Sequence, residues 1–356
     1  GNTQQWNVGV QRELTKTMKV DVSYVGSHSY HLQSGYLAGN QPSVANFQAL
    51  AARGTVWNWV SDPASAAAAG VPYPYPGFAG SAWMAITPYP QVAATWGPLF
   101  VVGDPLGNAD YKALQINVTK RASYGLSLQG SYVLSATHGD IQDTAFEELW
   151  WTGSLQNIYD LQHERNGITA FDATHVIKGY VIYDLPFGRG KTLLSHANSA
   201  LDYVVGGWTL DFGYHYSSGT PVQVHSSNYD PGFNAVYINV APGCKLTTGV
   251  ESLNQEYLNT SCFSNPAYGQ LGNGGNFLAD VRNPWLLTED VGAHKNFIFG
   301  PAERFHLTVR GEFFNVLNRS QLNNLITNIT DPNFGKFLGR GGIGPRIGQV
   351  GLRLTF

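Results

Sequence analysis

The side chains that could carry out chemistry are scattered along this sequence rather than grouped. His28 and His31 are close enough in sequence to bind one metal ion, but their place near a predicted loop tip makes a chance pair the better interpretation. A group of acidic residues could form a cation site or an ordinary solvated loop, and the solvated loop is favoured. These residues are Asp140, Asp143, Glu147 and Glu148.

A short segment, Gly188-Arg189-Gly190-Lys191, contains the residue types of a phosphate-binding loop. Such a loop must lie between a strand and a helix, where its backbone N–H groups can surround the phosphate. The residues around this segment indicate a turn instead. The sequence therefore predicts no catalytic residue, no cofactor-binding residue and no metal site, and a protein that is not an enzyme.

Two cysteines, Cys244 and Cys262, lie in a segment rich in Asn, Ser and Gly. A metal site would normally need further Cys or His residues at short spacing, and none accompanies them. A disulfide that closes a loop in an oxidising compartment is the better interpretation. In the chain-entropy description, such a bond would contribute about 3 kcal/mol.

The composition favours an all-β protein. Charged residues make up 13% of the chain, about half of the roughly 25% that is usual for soluble globular proteins. Glycine is abundant at 41 residues, and aromatic residues reach 13%. No apolar run approaches the roughly 20 residues of a membrane helix. The net charge of −3 gives no basic surface for nucleic acid.

The final segment of the chain carries the clearest pattern. Between Arg346 and Phe356, apolar and polar residues alternate with a period of two, which predicts a strand with one apolar and one polar face. The apolar positions are Val350, Leu352, Leu354 and Phe356. Such a strand can turn its apolar face to the core of a soluble sheet or to the lipid around a membrane barrel.

The same alternation recurs along the chain and predicts nine strands in all. They are Gln4–Glu13, Met18–Tyr24, Asp110–Arg121, Leu126–Leu134, Ala173–Tyr183, Trp208–Tyr216, Trp285–Phe297, Arg304–Phe314 and Arg346–Phe356. Short turns alternate with connections of roughly 30 to 80 residues, as in outer-membrane barrels that keep all long loops on one side. The sequence therefore predicts an antiparallel transmembrane β-barrel rather than a soluble sandwich.

The odd number of predicted strands suggests that the barrel is larger. Bacterial single-chain barrels close with an even number of strands. The first and the last predicted strands both run from the long-loop side, so one more strand is expected before the first. Residues 1–356 are therefore interpreted as the C-terminal portion of a barrel whose first strands lie outside this chain.

Several segments resemble the TonB-dependent outer-membrane receptors, in particular the large Oar-like branch. They are Gln4–Arg12, Val22–Ser27, Tyr111–Arg121, Gly125–Ser127, Asp184–Gly190, Gly206–Trp208, Ser218–Pro221, Glu312–Asn318 and Gly351–Phe356. The resemblance implies a barrel of about 22 strands, plugged by an N-terminal domain and powered by TonB. The plug and the TonB-contacting segment would lie outside this chain. The implied function is uptake of a ligand across the cell outer membrane, with extracellular loops and a periplasmic C-terminus.

The resemblance also implies partners and signal residues. The expected partners are outer-membrane lipid, TonB, the barrel assembly machinery and an unknown ligand, which could be an oligosaccharide, a peptide or a metal chelate. In this family a last strand that ends on Phe is similar to the signal read by the assembly machinery. Val350, Leu352, Leu354 and Phe356 are therefore the candidate signal residues.

Three charged residues, Arg310, Glu312 and Arg353, fall on the polar faces of neighbouring predicted strands. They could form a salt-bridge ladder toward the lumen or the plug, or simply part of a wet lumen wall, and both interpretations stay open. A second function also stays open beside the transporter: a structural or adhesive surface barrel, or a smaller independent pore.

Overall fold

The largest element of the protein is one antiparallel sheet of nine strands in simple chain order. The computed structural model describes residues 1–32, 36–93, 99–102, 105, 107–139, 156–160, 167–226, 230–233, 236–301 and 304–356. The strands of the sheet are β1 (Asn2–Thr15), β2 (Met18–Leu32), β3 (Gly107–Ser123), β4 (Leu126–Gly139), β5 (His175–Asp184), β6 (Trp208–Ser217), β7 (Leu286–Phe299), β8 (Phe305–Phe314) and β9 (Ile347–Thr355). Each predicted strand corresponds to one of them.

The connections between these strands differ at the two ends of the sheet. At the short-turn end they are residues 16–17, 124–125, 185–207 and 300–304, and at the long-loop end they are residues 33–106, 140–174, 218–285 and 315–346. The latter are called here the first to fourth long loops. One expectation is corrected: the connection predicted as a turn after β5 is longer and contains a helix, Ser199–Val205.

The sheet is open within the described residues, because β1 and β9 are its edges and do not pair with each other. Asn2 lies opposite Tyr30 at the long-loop end, and Ile347 lies opposite Phe314 at the same end. Both edge strands therefore run from the long-loop end to the short-turn end. Two strands with the same direction cannot pair in an antiparallel ladder.

The strand register separates apolar from polar side chains. One row of directly opposite residues joins Val10, Val22, Ile116, Tyr132, Ile177, Tyr216 and Leu287. The adjacent row joins Gln11, Asp21, Asn117, Ser131, Lys178, His215 and Thr288. Because successive side chains point to opposite sides of a strand, the first row belongs to an apolar face and the second to a polar face.

The described residues of the first long loop contain four helices. They are α1 (Val44–Ala52), α2 (Pro63–Ala69), α3 (Ala82–Ala85) and α4 (Pro90–Ala93), and α5 is Ser199–Val205 at the short-turn end. Local interactions determine both ends of α2. The Asp62 carboxylate accepts from the Ser65 backbone N–H in a capping box, and Gly70 ends the helix at φ 74°. None of the helices in the described part of the chain is long and apolar enough to cross a bilayer.

The long loops contain most of the buried apolar side chains. A first cluster comes from the first loop, with Phe233 added by the third loop. A second cluster joins the third loop to the fourth, where Leu322, Phe334 and Phe337 are buried. The long loops also contain short strand pairs: Tyr36–Ala38 with Phe100–Val102, Trp59–Val60 with Gly80–Ser81, Pro221–Val222 with Leu278–Arg282, Asn239–Val240 with Phe263–Ser264, and Gln321–Leu325 with Phe337–Gly341. These folded loops are called the loop cap.

Candidate functional site: the two faces of the sheet and the loop cap

Much of the apolar face of the sheet is left uncovered by protein among the described residues. Val8 and Leu352, in the two edge strands, expose 70% and 71% of their surface. Leu114, in the inner strand β3, still exposes 36%, while its neighbour Ala113 on the polar face exposes only 2%. A soluble sheet would bury its large apolar side chains and expose the small ones. An exposed apolar area of this extent marks a surface that contacts another apolar phase or partner.

Aromatic rings lie near both ends of the apolar face. At the long-loop end, the His175 ring stacks between Tyr132 and Trp285, with centroid distances of 6.1 and 5.9 Å. At the short-turn end, Phe299 stacks on Phe305 at 5.6 Å. Tyr and Trp combine an apolar ring with a polar group, which suits the boundary between water and lipid.

Acidic and basic side chains meet on the polar face, both between neighbouring strands and along one strand. His294 Nδ1 lies 3.0 Å from the Asp211 carboxylate, and Arg310 forms an ion pair with Glu312. Glu312 also accepts a hydrogen bond from Gln349 Nε2. Of the three predicted inward charges, Arg310 and Glu312 thus meet, while Arg353 lies opposite Thr308 and forms no ion pair within the described residues.

The loop cap is held together by buried polar contacts. Gln156 of the second loop is 5% exposed and connects the first loop to the third. Its side-chain oxygen accepts from the backbone N–H groups of Tyr237 and Gly272, at 3.1 and 2.9 Å. Gln41 of the first loop donates to the Gln156 carbonyl at 2.9 Å. Loops that are fixed to one another in this way present a preformed surface at the long-loop end.

The predicted disulfide between Cys244 and Cys262 is confirmed. The two Cα atoms lie 5.8 Å apart in the third loop, and Cys262 is buried in the second apolar cluster. The bond lies at the long-loop end, whereas Thr355 near the end of the chain lies opposite His306 toward the short-turn end.

A comparison with protein families identifies this architecture. The family model described as an outer membrane beta barrel domain matches residues 1–349. The chain belongs to this family. Its place is therefore the cell outer membrane, and the uncovered apolar face is a property expected of an outer-membrane β-barrel domain.

Solved structures similar to this outer-membrane β-barrel domain share little sequence with it. The outer membrane transporter YddB from Escherichia coli is 9% identical, with a TM-score of 0.46 over 99% of this chain and 32% of that chain. The pyoverdine outer membrane receptor FpvA from Pseudomonas aeruginosa is 11% identical, with a TM-score of 0.39 over 99% and 29%. BauA, the ferric preacinetobactin receptor from Acinetobacter baumannii, is 11% identical, with a TM-score of 0.38 over 99% and 29%.

This chain therefore spans about a third or less of the length of these three proteins. Among curated proteins, none matches the sequence.

Two ion pairs at the base of the loop cap were not predicted from the sequence. The Asp172 side chain is fully buried, and Arg282 Nη2 lies 2.8 Å from its carboxylate. Glu289 is 3% exposed and accepts from Arg319 Nε at 3.0 and 2.9 Å. The first pair joins the second long loop to the third, and Asp172 also accepts from the Thr137 backbone N–H of β4 at 2.7 Å. The second pair joins β7 to the fourth long loop, so both contacts help to fix the cap of this β-barrel domain to its sheet.

A third acidic residue, Asp230, lies within the cap itself. Its carboxylate accepts from the backbone N–H groups of Gly232 and Gly269, at 3.1 and 2.8 Å, and the residue is 6% exposed. Burial raises the pKa of Asp230, and the two hydrogen bonds only partly oppose that shift. No positive side chain pairs with it among the described residues. Its carboxylate is therefore held by backbone hydrogen bonds rather than by an ion pair.

The metal-site alternatives gain no support from the side-chain positions. His28 Nδ1 lies 2.9 Å from the Asp110 carboxylate, so its partner is an acid on the next strand rather than His31. Within the described ranges, no three His, Cys, Asp or Glu residues are grouped closely enough to hold a metal ion. Asp140, Asp143, Glu147 and Glu148 lie outside the described residues.

Proposed function

We propose that this chain forms the C-terminal portion of a TonB-dependent outer-membrane receptor of the Oar-like type. The observation that carries the proposal is the apolar face, whose large side chains stay exposed in several strands while the buried core lies in the long loops. In a barrel that face contacts lipid, and the polar face lines the lumen. The loops then lie outside the cell and the C-terminus lies in the periplasm.

The direction of the edge strands supports a larger barrel. Because β1 and β9 run the same way, antiparallel closure needs an odd number of further strands between them. A barrel of about 22 strands would supply that odd number in addition to the nine of this sheet. The further strands, the plug and the TonB-contacting segment belong, in this proposal, to the part of the receptor that precedes Gly1.

The proposed activity is uptake of a ligand through the lumen, driven by TonB. The loop cap captures the ligand, which is an oligosaccharide, a peptide or a metal chelate, and the ion pairs of the polar face contact the plug or the wet lumen. Catalysis is not part of this proposal. The barrel assembly machinery inserts the protein into the membrane.

The test has a topological part and a transport part. An epitope inserted beside Gly249 of the third loop should bind antibody on intact cells expressing the full-length receptor, and an epitope beside Lys16 should bind only after the outer membrane is opened. Uptake of labelled oligosaccharides, peptides and ferric chelates should then require both the receptor and TonB. An inaccessible third loop refutes the orientation, and uptake that persists without TonB indicates an independent pore instead. Binding without uptake indicates an adhesive role.

A further inference from the structure

The connection between β5 and β6 is unusual for the short-turn end. It runs over residues 185–207, whereas the other connections at that end are residues 16–17, 124–125 and 300–304. Its helix α5 begins after Asn198, whose side chain accepts from the Leu201 backbone N–H at 2.8 Å. A segment of this length has room to fold back onto one face of the sheet.

The helix lies against the apolar face. Trp208 and Lys295 are directly opposite each other on that face. Trp208 Nε1 donates to the Val204 carbonyl at 2.9 Å, and Lys295 Nζ donates to the Tyr203 carbonyl at 2.6 Å. The Tyr203 ring also packs against the Phe297 ring, with the centroids 5.1 Å apart. Three separate contacts thus hold α5 on the side of the sheet proposed to face lipid.

These contacts explain how the charged side chain of Lys295 can lie on the apolar face. An ammonium group on an apolar, lipid-facing surface is costly unless it is paired or reaches the interface. Here the helix covers it, since Lys295 is only 4% exposed. Its charge is satisfied by a carbonyl near the C-terminal end of α5, where the helix dipole is negative.

The connection also exposes apolar side chains. They are Leu193, Leu194, Leu201, Tyr203 and Val204, with exposures of 47%, 49%, 42%, 55% and 66%. About half of their surface is therefore open within the described structure, and it adjoins the apolar face because α5 packs on that face. Arg189 and Lys191, both exposed, lie in the same connection. Apolar side chains beside basic ones are typical of segments that lie in the headgroup region of a bilayer.

We infer that residues 193–204 form an interfacial anchor, which lies outside the barrel wall in the phospholipid headgroup region at the short-turn end. The inference rests on the proposed function, because it requires a bilayer around the apolar face. The committed partner is lipid rather than protein, since the patch is continuous with the lipid-facing surface and carries basic residues suited to phosphate headgroups.

Probe depth tests the anchor directly. The two cysteines of the chain are bonded to each other, so one further cysteine can be labelled with an environment-sensitive fluorophore. Leu201→Cys and Val204→Cys report on the anchor, and either suffices if the other folds poorly. Leu114→Cys, in the inner strand β3 of the apolar face, and Lys16→Cys, in the turn between β1 and β2, are the lipid and water references. The full-length receptor is placed in vesicles of phosphatidylethanolamine and phosphatidylglycerol.

At Leu201 and Val204, we expect strong quenching by a spin label near the lipid carbonyls and about fivefold less quenching by iodide than at Lys16. The probe at Leu114 should be quenched best by a deep spin label. Iodide quenching at Leu201 and Val204 equal to that at Lys16 overturns the anchor while leaving the barrel intact. Protection from both quenchers means that protein covers the patch, which also overturns it. Iodide quenching at Leu114 refutes the proposed function itself.

Discussion

Removing the positive partner of Asp172 should loosen the loop cap more than any exposed charge change can. In the variant Arg282→Met, the fully buried Asp172 carboxylate would keep only the Thr137 backbone N–H at 2.7 Å and the Thr174 hydroxyl at 3.2 Å. Losing one partner of a buried pair typically costs 3–5 kcal/mol, because an uncompensated charge stays in the interior. Arg282 is 22% exposed, so some water reaches the pair. We therefore expect the lower limit, about 3 kcal/mol.

The reverse variant should cost less. In Asp172→Asn, Arg282 would keep its hydrogen bonds to the carbonyls of Asp172, Gly219 and Ala279. Its guanidinium is partly hydrated, and the amide leaves no buried charge. We expect a loss of about 1–2 kcal/mol, the scale of one hydrogen bond to a charged group. The asymmetry between the two variants follows from the difference in burial between the two side chains.

Hydrogen exchange of the full-length receptor in detergent measures this loss locally. The Thr137 amide donates to Asp172, so its exchange reports opening of the pair. A loss of about 3 kcal/mol corresponds to roughly a hundredfold faster exchange when reclosing is fast. Arg121→Met is the matched control, since the Arg121–Glu13 pair is 72% and 67% exposed at 3.6 Å and should change exchange less than about fivefold. Equal effects of the two Arg variants, or a larger effect of Asp172→Asn, would refute the reasoning.

Two further predictions concern the loop cap. The double variant Cys244→Ser/Cys262→Ser should lose about 3 kcal/mol of local stability in the third loop. This loss should appear as faster protease cleavage between residues 245 and 261, with reduced wild-type protein as the comparison. Unchanged cleavage would contradict the prediction. For Asp230, burial raises the folded-state pKa above the ordinary value of 3.8, so the folded cap binds the proton more tightly than the unfolded chain. Cap stability should therefore fall as pH rises from that ordinary value through the raised one, and hydrogen exchange near Gly269 should show this slope in wild type but not in Asp230→Asn. The same slope in both proteins would assign it to another group.

The strands were predictable because their signal is local. Trp208–Tyr216 was predicted and β6 is Trp208–Ser217, since alternation along one segment already separates the two faces. The register places Ile177 and Val181 of the neighbouring strand β5 on the apolar face. Burial on one face fixes the register, so a local pattern is sufficient information.

The contacts of the loop cap could not be predicted in the same way. Asp172 and Arg282 are 110 residues apart in the sequence. A single acidic or basic residue in a loop carries no sequence pattern from which its partner could be predicted. The connection with α5 was missed because its position depends on Trp208 and Lys295, which lie on two different strands. The predicted salt-bridge ladder of Arg310, Glu312 and Arg353 shows that side-chain contacts within the sheet are also only partly predictable. Arg310 and Glu312 are two residues apart on one strand and do meet, whereas the register sets Arg353 opposite the uncharged Thr308.

The final aromatic residue allows assembly to be separated from stability. Phe356 is 83% exposed and follows β9, whose outer edge has no partner among the described strands, so its ring packs little on this sheet. Phe356→Ala should therefore change the thermal stability of folded protein in detergent by no more than about 0.5 kcal/mol, as for other exposed positions. An unpaired strand edge cannot remain exposed in hydrocarbon, so its recognition must precede barrel closure. If the ring serves that recognition, the variant should lower the amount of folded barrel in the outer membrane of cells several-fold.

The matched control is Thr355→Ala, which changes the adjacent exposed residue on the polar face. Folded protein in outer-membrane fractions can be measured by its heat-modifiable migration in gels, and refolded protein from the same variants gives the stability. Equal cellular yields for Phe356→Ala and Thr355→Ala would remove the signal role. Equal losses of yield and stability in Phe356→Ala would make the ring a packing residue, in spite of its exposure. Only a loss confined to the cell assay is compatible with a residue that is read before the barrel closes.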